Sequence, residues 1–151
     1  MAKSASRDTN KAVKKINVDI RVPNELQYVA LIGSIGEDIA RNLAEFRGDR
    51  NALASQLNLV LTEASANAME HADVGAPEKF VRVCIRIKND CLEAKVYDTG
   101  QGFDINRVPQ PDFDHPTERG RGIFFIKTLM DTVTYRHVGT GNVLRMVKYL
   151  K

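Results

Sequence analysis

The sequence predicts an α+β fold, and three observations carry that prediction. Strict alternation of apolar and polar residues marks strands near the start, in the middle and at the end of the chain. Apolar residues three and four apart mark amphipathic helices in the segments between them. The two middle strands are separated by Asn89 and Asp90 alone, which joins them as an antiparallel hairpin.

Each element has its own signals. Ile16, Val18, Ile20 and Val22 alternate, so residues 15–22 read as a strand that Pro23 ends. Asn24 followed by Gln27 resembles a capping box. Val29, Ile32, Ile39, Leu43 and Phe46 then predict a helix to about residue 46, with Gly36 inside it. Gly48 breaks that helix and Asp49 can cap the next, which runs to about His71. Its inner stripe is Leu53, Leu57, Val60, Ala64 and Ala68. Gly75 and Pro77 close the segment.

Residues 80–88 and 91–98 form the hairpin. A turn centred on Asn89-Asp90 pairs Lys88 with Cys91, Arg86 with Glu93 and Cys84 with Lys95. Val81, Val83, Ile85 and Ile87 then share a face with Leu92, Ala94, Val96 and Asp98, and Asp98 is the odd member of the row. In this register the two cysteines face lysines, and reduced thiols are the simpler account. Residues 99–119 hold Gly100, Gly102, Pro109, Pro111 and Pro116 with little periodicity, and read as a long surface loop. A helix follows from Gly120, with Ile123, Ile126, Met130 and Val133 at helical spacing. Residues 132–138 and 143–150 read as two closing strands joined by Gly139-Thr140-Gly141.

Composition fits one domain: 151 residues, 43% hydrophobic and 27% charged. No apolar run approaches the ~20 residues of a membrane span, and residues 1–15 lack the apolar core of a secretory signal. A cytoplasmic location without membrane attachment is the expectation. Of the net charge of +3, residues 1–21 contribute +4, leaving the remainder at −1. Residues 1–15 read as a flexible basic leader and residues 16–151 as the folded domain, whose charge gives no argument for nucleic-acid binding.

Three constellations carry chemistry. Glu63, Asn67 and His71 recur every four residues along one helix edge. A carboxylate can accept a proton and an amide oxygen can ligate Mg²⁺, although the spacing alone also fits a helix edge facing water. Asp98-Thr-Gly-Gln-Gly-Phe103 puts two glycines after a carboxylate at a strand end, where backbone can approach a ligand closely or simply turn. It lacks the third glycine of a dinucleotide fingerprint, and no Gly-Lys-Ser/Thr of a P-loop occurs. Arg119-Gly-Arg-Gly-Ile123 opens a helix, where free N–H groups favour phosphate, or where the glycines merely cap.

In order and spacing, the three together resemble the GHKL ATPase superfamily: Glu63, Asn67 and His71 as its N box, Asp98, Gly100, Gly102 and Phe103 as its DxGxGF box, Gly120 and Gly122 as the glycine box that closes the ATP lid. The stretch ERGRGIFFIKTLMDTV further resembles the anti-sigma-factor serine/threonine kinases of partner-switching systems. The resemblance implies a Bergerat fold, a two-layer sandwich whose mixed, mostly antiparallel sheet is covered on one face by about three helices. It implies ATP and Mg²⁺ as ligands. Asn67 would hold the metal, Asp98 would accept from the adenine amino group, and Gly100 and Gly102 would pass close to the nucleotide. Gly120, Arg121 and Gly122 would wrap the phosphates, Thr140 would lie beside the nucleotide or serve as a turn residue, and His71 would position the site or cap its helix. Glu63 would be the general base.

The implied partners are a sigma factor and a small anti-sigma-factor antagonist protein, and a homodimer is compatible with the family's habits. The Pro- and Asp-rich stretch 107–118 matches nothing specific in the family. A non-catalytic ATP-binding regulatory module is the alternative, against which the intact Glu63 argues. A two-component histidine kinase would need a phosphoacceptor histidine, and none occurs before residue 49.

Overall fold

A computed structural model describes residues 15–71, 80–99, 121–139 and 141–150. The expected leader, the long loop and Thr140 lie outside these residues, apart from Lys15 and Thr99 at their borders. Strand β1 spans Lys15–Pro23 and turns Ile16, Val18, Ile20 and Val22 toward the core. A 3₁₀ turn, Leu26–Tyr28, leads into α1, Val29–Arg41. The capping box expected at Asn24 does not form: neither the turn nor α1 has a side-chain cap, and Gln27 donates to Glu25 at 2.9 Å.

Helix α1 also stops short of residue 46. Asn42 leaves helical geometry, and the Asp38 carbonyl accepts both its side-chain Nδ2–H at 2.7 Å and its backbone N–H at 3.2 Å, so the asparagine folds back on the helix end. Leu43 and Phe46 keep their apolar role from the connecting turn, packed against the core. The cap expected at Asp49 is present. Its Oδ1 accepts from the backbone N–H of Asn51 at 2.9 Å and of Ala52 at 3.1 Å, opening α2 at Arg50–His71. Gly36 lets α1 approach α2 closely: a methyl group there would lie 2.5 Å from Leu61 Cδ1.

Strands β2, Phe80–Lys88, and β3, Cys91–Asp98, pair in the expected register, with Arg86 opposite Glu93 and Cys84 opposite Lys95. Asn89 and Asp90 both take positive φ, 51° and 59°, as a two-residue hairpin turn requires. Both cysteines are free. Helix α3 spans Arg121–Leu129. Val133, expected at the end of that helix, belongs to β4, Thr132–Val138, where a β-branched residue suits the pleated backbone. β5, Gly141–Tyr149, closes the sheet.

The sheet order is β1-β2-β3-β5-β4, and every pairing between these strands is antiparallel. The three helices lie on one face over a core that includes Leu53, Leu57, Val60, Ile85, Leu92, Val96, Ile126 and Met146. The opposite face carries charge, with Arg82 held by Asp19 at 2.8 Å and Arg145 by Glu93 at 2.6 Å. This is the expected two-layer α+β sandwich, with its described strands antiparallel throughout instead of mixed.

Candidate functional site

The site has two corners, both near elements that pack on β3. The first lies on the edge of α2. Leu57, Val60, Leu61, Ala64 and Ala68 are buried, while Glu63 and Asn67 sit half-buried one position to the side of the stripe. The four-residue spacing puts their side chains one turn apart. Helix α3 packs against α2, and its second residue is Gly122. A methyl group on Gly122 would lie 2.6 Å from Glu63 Oε2 and 3.4 Å from Asn67 Nδ2. Only a glycine lets the first turn of α3 come this close to both side chains.

Electrostatics set Glu63 apart. Burial first, and then the negative charge of Glu70, push its carboxyl above the ordinary glutamate range. A more basic carboxylate is a better proton acceptor. The adjacent N-terminus of α3 offers N–H groups without intrahelical partners and the positive end of the helix dipole.

The second corner lies at the end of β3. Asp98 is 6% exposed, and its backbone abuts Gly141, where a Cβ would meet the Asp98 carbonyl oxygen. Asn142 lies directly opposite on β5 and donates through Nδ2 to Asp98 Oδ1 at 2.8 Å. The Tyr135 hydroxyl on β4 donates to Oδ2 at 3.1 Å. Burial first, and then the charge and hydrogen bond of Asp98, raise the Tyr135 hydroxyl well above the usual tyrosine range, so it remains a donor.

Glu63, Asn67 and Gly122 are therefore brought together, while Asp98 anchors a separate corner on an adjoining element. His71 is the last residue of α2 and Arg121 the first of α3; their side chains lie outside the described residues, as do Gly100, Gly102, Phe103, Gly120 and Thr140. Sequence reasoning missed Tyr135, Gly141 and Asn142. Asn142 left one signal, a polar residue continuing the apolar row of Leu144 and Met146 just as Asp98 continues that of β3. Tyr135 left none, because a tyrosine is an ordinary strand residue.

The family model for the histidine kinase-like ATPase domain matches residues 22–148, and the chain belongs to that family. Among its relatives is the serine-protein kinase RsbW of Bacillus cereus, 26% identical over 145 residues that cover 89% of this chain and 85% of the relative. RsbW of Bacillus velezensis is 27% identical over 141 residues, covering 88% of this chain and 85% of the relative. A solved histidine kinase domain from Erythrobacter litoralis covers 92% of this chain and 64% of its own, at 21% identity and a TM-score of 0.48. Family membership implies ATP as the ligand. The residues present fit it: a buried carboxylate stands at one corner, and at the other a cradle that a Cβ would fill. Among the described residues, no helix is long and apolar enough to cross a membrane.

Proposed function

We propose that the chain is an ATP-dependent protein serine/threonine kinase that acts as an anti-sigma factor in the cytoplasm. It phosphorylates a small antagonist protein and, when the antagonist is phosphorylated, holds a sigma factor. One observation carries the kinase reading above all: a half-buried carboxylate of raised basicity, Glu63, shares a helix edge with Asn67 directly against the glycine-opened N-terminus of α3. Pure nucleotide binding has no use for a proton acceptor there.

In this reading the residues divide the work. Asp98 accepts from the adenine amino group and fixes the base. The first turn of α3, with Arg121 and Gly122, receives the phosphates through backbone N–H groups and charge, and Gly120 precedes it in the chain. Asn67 supplies an amide oxygen to Mg²⁺, which neutralises phosphate charge when bound. Glu63 takes the proton from the attacking serine hydroxyl, and its raised basicity favours that transfer. The similarity to RsbW serine-protein kinases over most of both chains supports the protein-kinase reading.

The test is transfer of labelled phosphate from ATP to an antagonist protein recovered by pull-down, with ATP binding measured in parallel. Glu63→Ala is expected to lose ~10²–10⁴ in rate, the usual cost of removing a general base, while ATP affinity barely changes. Asn67→Ala is expected to lose metal-dependent ATP binding and transfer together. A wild-type protein that binds ATP yet phosphorylates no recovered partner would replace the kinase with a non-catalytic ATP-binding module.

A further inference from the structure

Asp98 ends the apolar row of β3 on the face that the helices cover. Asn142 faces it across the β3–β5 ladder, and Tyr135 stands on β4, the next strand out, opposite Leu144. Their hydrogen bonds, 2.8 Å from Asn142 to Oδ1 and 3.1 Å from Tyr135 to Oδ2, grip the carboxylate at both oxygens and from two different strands. A carboxylate held at both ends cannot rotate freely about its side-chain bonds. A carboxylate oxygen offers two acceptor positions and no donor, so Asp98 presents itself to a ligand as an acceptor. The Tyr135 proton is meanwhile committed to Asp98.

We propose that Tyr135 and Asn142 are positioning residues that set purine specificity: they hold Asp98 as a fixed, acceptor-only partner for the 6-amino group of adenine. The inference rests on the reading of Asp98 as the adenine-recognising group. Its physical content is twofold. A pre-aimed acceptor avoids the cost of ordering a free side chain on binding. Engaging the tyrosine hydroxyl also removes the nearby donor that could otherwise serve the 6-oxo group of guanine, which needs a donor and meets a carboxylate instead. Base selection is then a property of three strands, two of which follow α3 in the chain.

The experiment is calorimetric binding of ATP, of purine riboside triphosphate (ATP lacking the 6-amino group) and of GTP to wild type, Tyr135→Phe and Asn142→Leu. Wild type is expected to prefer ATP over the des-amino ligand by on the order of tenfold or more, as suits a hydrogen bond to a charged group. In Tyr135→Phe that preference is expected to shrink by roughly 3–10-fold while affinity for the des-amino ligand holds. Asn142→Leu should do the same, and GTP should gain ground on ATP in both. Tyr135→Phe removes one oxygen from a half-buried ring, so it keeps the fold and decides the matter if Asn142→Leu does not fold. A residue that merely props the sheet edge would weaken both ligands alike and leave the preference intact. Wild-type preference for the 6-amino group, retained in full by Tyr135→Phe, overturns the inference and leaves the kinase reading standing. A wild type that binds ATP and the des-amino ligand equally overturns the reading of Asp98 itself, and the inference with it.

Discussion

Asp98 and Glu63 are the acidic side chains of the two corners, and they are built on different terms. Asp98 stands at the end of a central strand, 6% exposed, with both oxygens held by side chains of neighbouring strands. Glu63 stands on a helix edge, half-buried beside the charge of Glu70 and the Cα of Gly122, with its carboxyl made more basic by those surroundings. In the proposed reading, the difference follows from what each must do. A group that recognises a base needs a fixed direction, and strands with cross-strand hydrogen bonds supply it. A group that takes a proton needs basicity and room to move, and a partly desolvated helix edge supplies both.

Gly122→Ala attacks the contrast where it is largest. Its methyl group would stand 2.6 Å from Glu63 Oε2 and 3.3 Å from Glu63 Cβ, so the flexible carboxylate must swing away. Phosphate transfer should fall by ~10²-fold, the cost of a misplaced catalytic group, while base selection at the other corner stays intact. Unchanged transfer with the alanine in place would show that the position of Glu63 against α3 does not matter.

Asp98→Asn is the next largest. The amide offers an acceptor on one side and a donor on the other, so one of the two donors, Tyr135 or Asn142, loses its acceptor. The fold should lose about 1–3 kcal/mol in denaturant unfolding, and ATP binding a similar amount in calorimetry. A variant of full stability that still prefers ATP over GTP would mean that the grip on this carboxylate is not what matters.

The same conservative swap at the other carboxylate has the opposite sign. Burial and Glu70 raise the folded-state pKa of Glu63, so between the ordinary glutamate value and the raised one the folded chain binds more protons than the unfolded chain. Stability therefore falls as pH rises through that window. Glu63 costs stability above it and nothing below it. Glu63→Gln should raise the melting temperature at neutral pH, by a gain that solvent screening keeps under about 1 kcal/mol, and the gain should vanish at pH below the ordinary glutamate range. A loss of stability in the Gln variant at neutral pH would break the comparison. Together the two amide variants read out opposite contributions to the fold: one carboxylate held by hydrogen bonds and one penalised by burial.

Much of the fold was legible because the signals were local. Alternation located the strands, and the hairpin register followed from Asn89-Asp90, where matching faces left one consistent pairing. Asp49 was readable as a cap because capping depends on the next few residues alone. The misreadings have equally local causes. Leu43 and Phe46 continue the helical rhythm of α1, yet Asn42 ends the helix, and apolar spacing does not register an asparagine side chain that folds back on the Asp38 carbonyl. Val133 fits helical spacing after Met130 and belongs to a strand, since an apolar residue at an element boundary satisfies either period.

At the site, the sequence by itself determined which residue types are present and at what spacing: Glu63 and Asn67 one turn apart, Asp98 at the end of an apolar row, glycines opening a helix. Those facts depend only on the period of a helix and of a strand, so they needed no tertiary information. Only the tertiary structure decided who touches whom. Asp98 lies 44 positions from Asn142 and 37 from Tyr135. Gly122 reaches Glu63 only because α3 packs on α2. Such contacts are set by strand order and helix packing, which hydrophobic burial selects over the whole chain, and no local period carries that information.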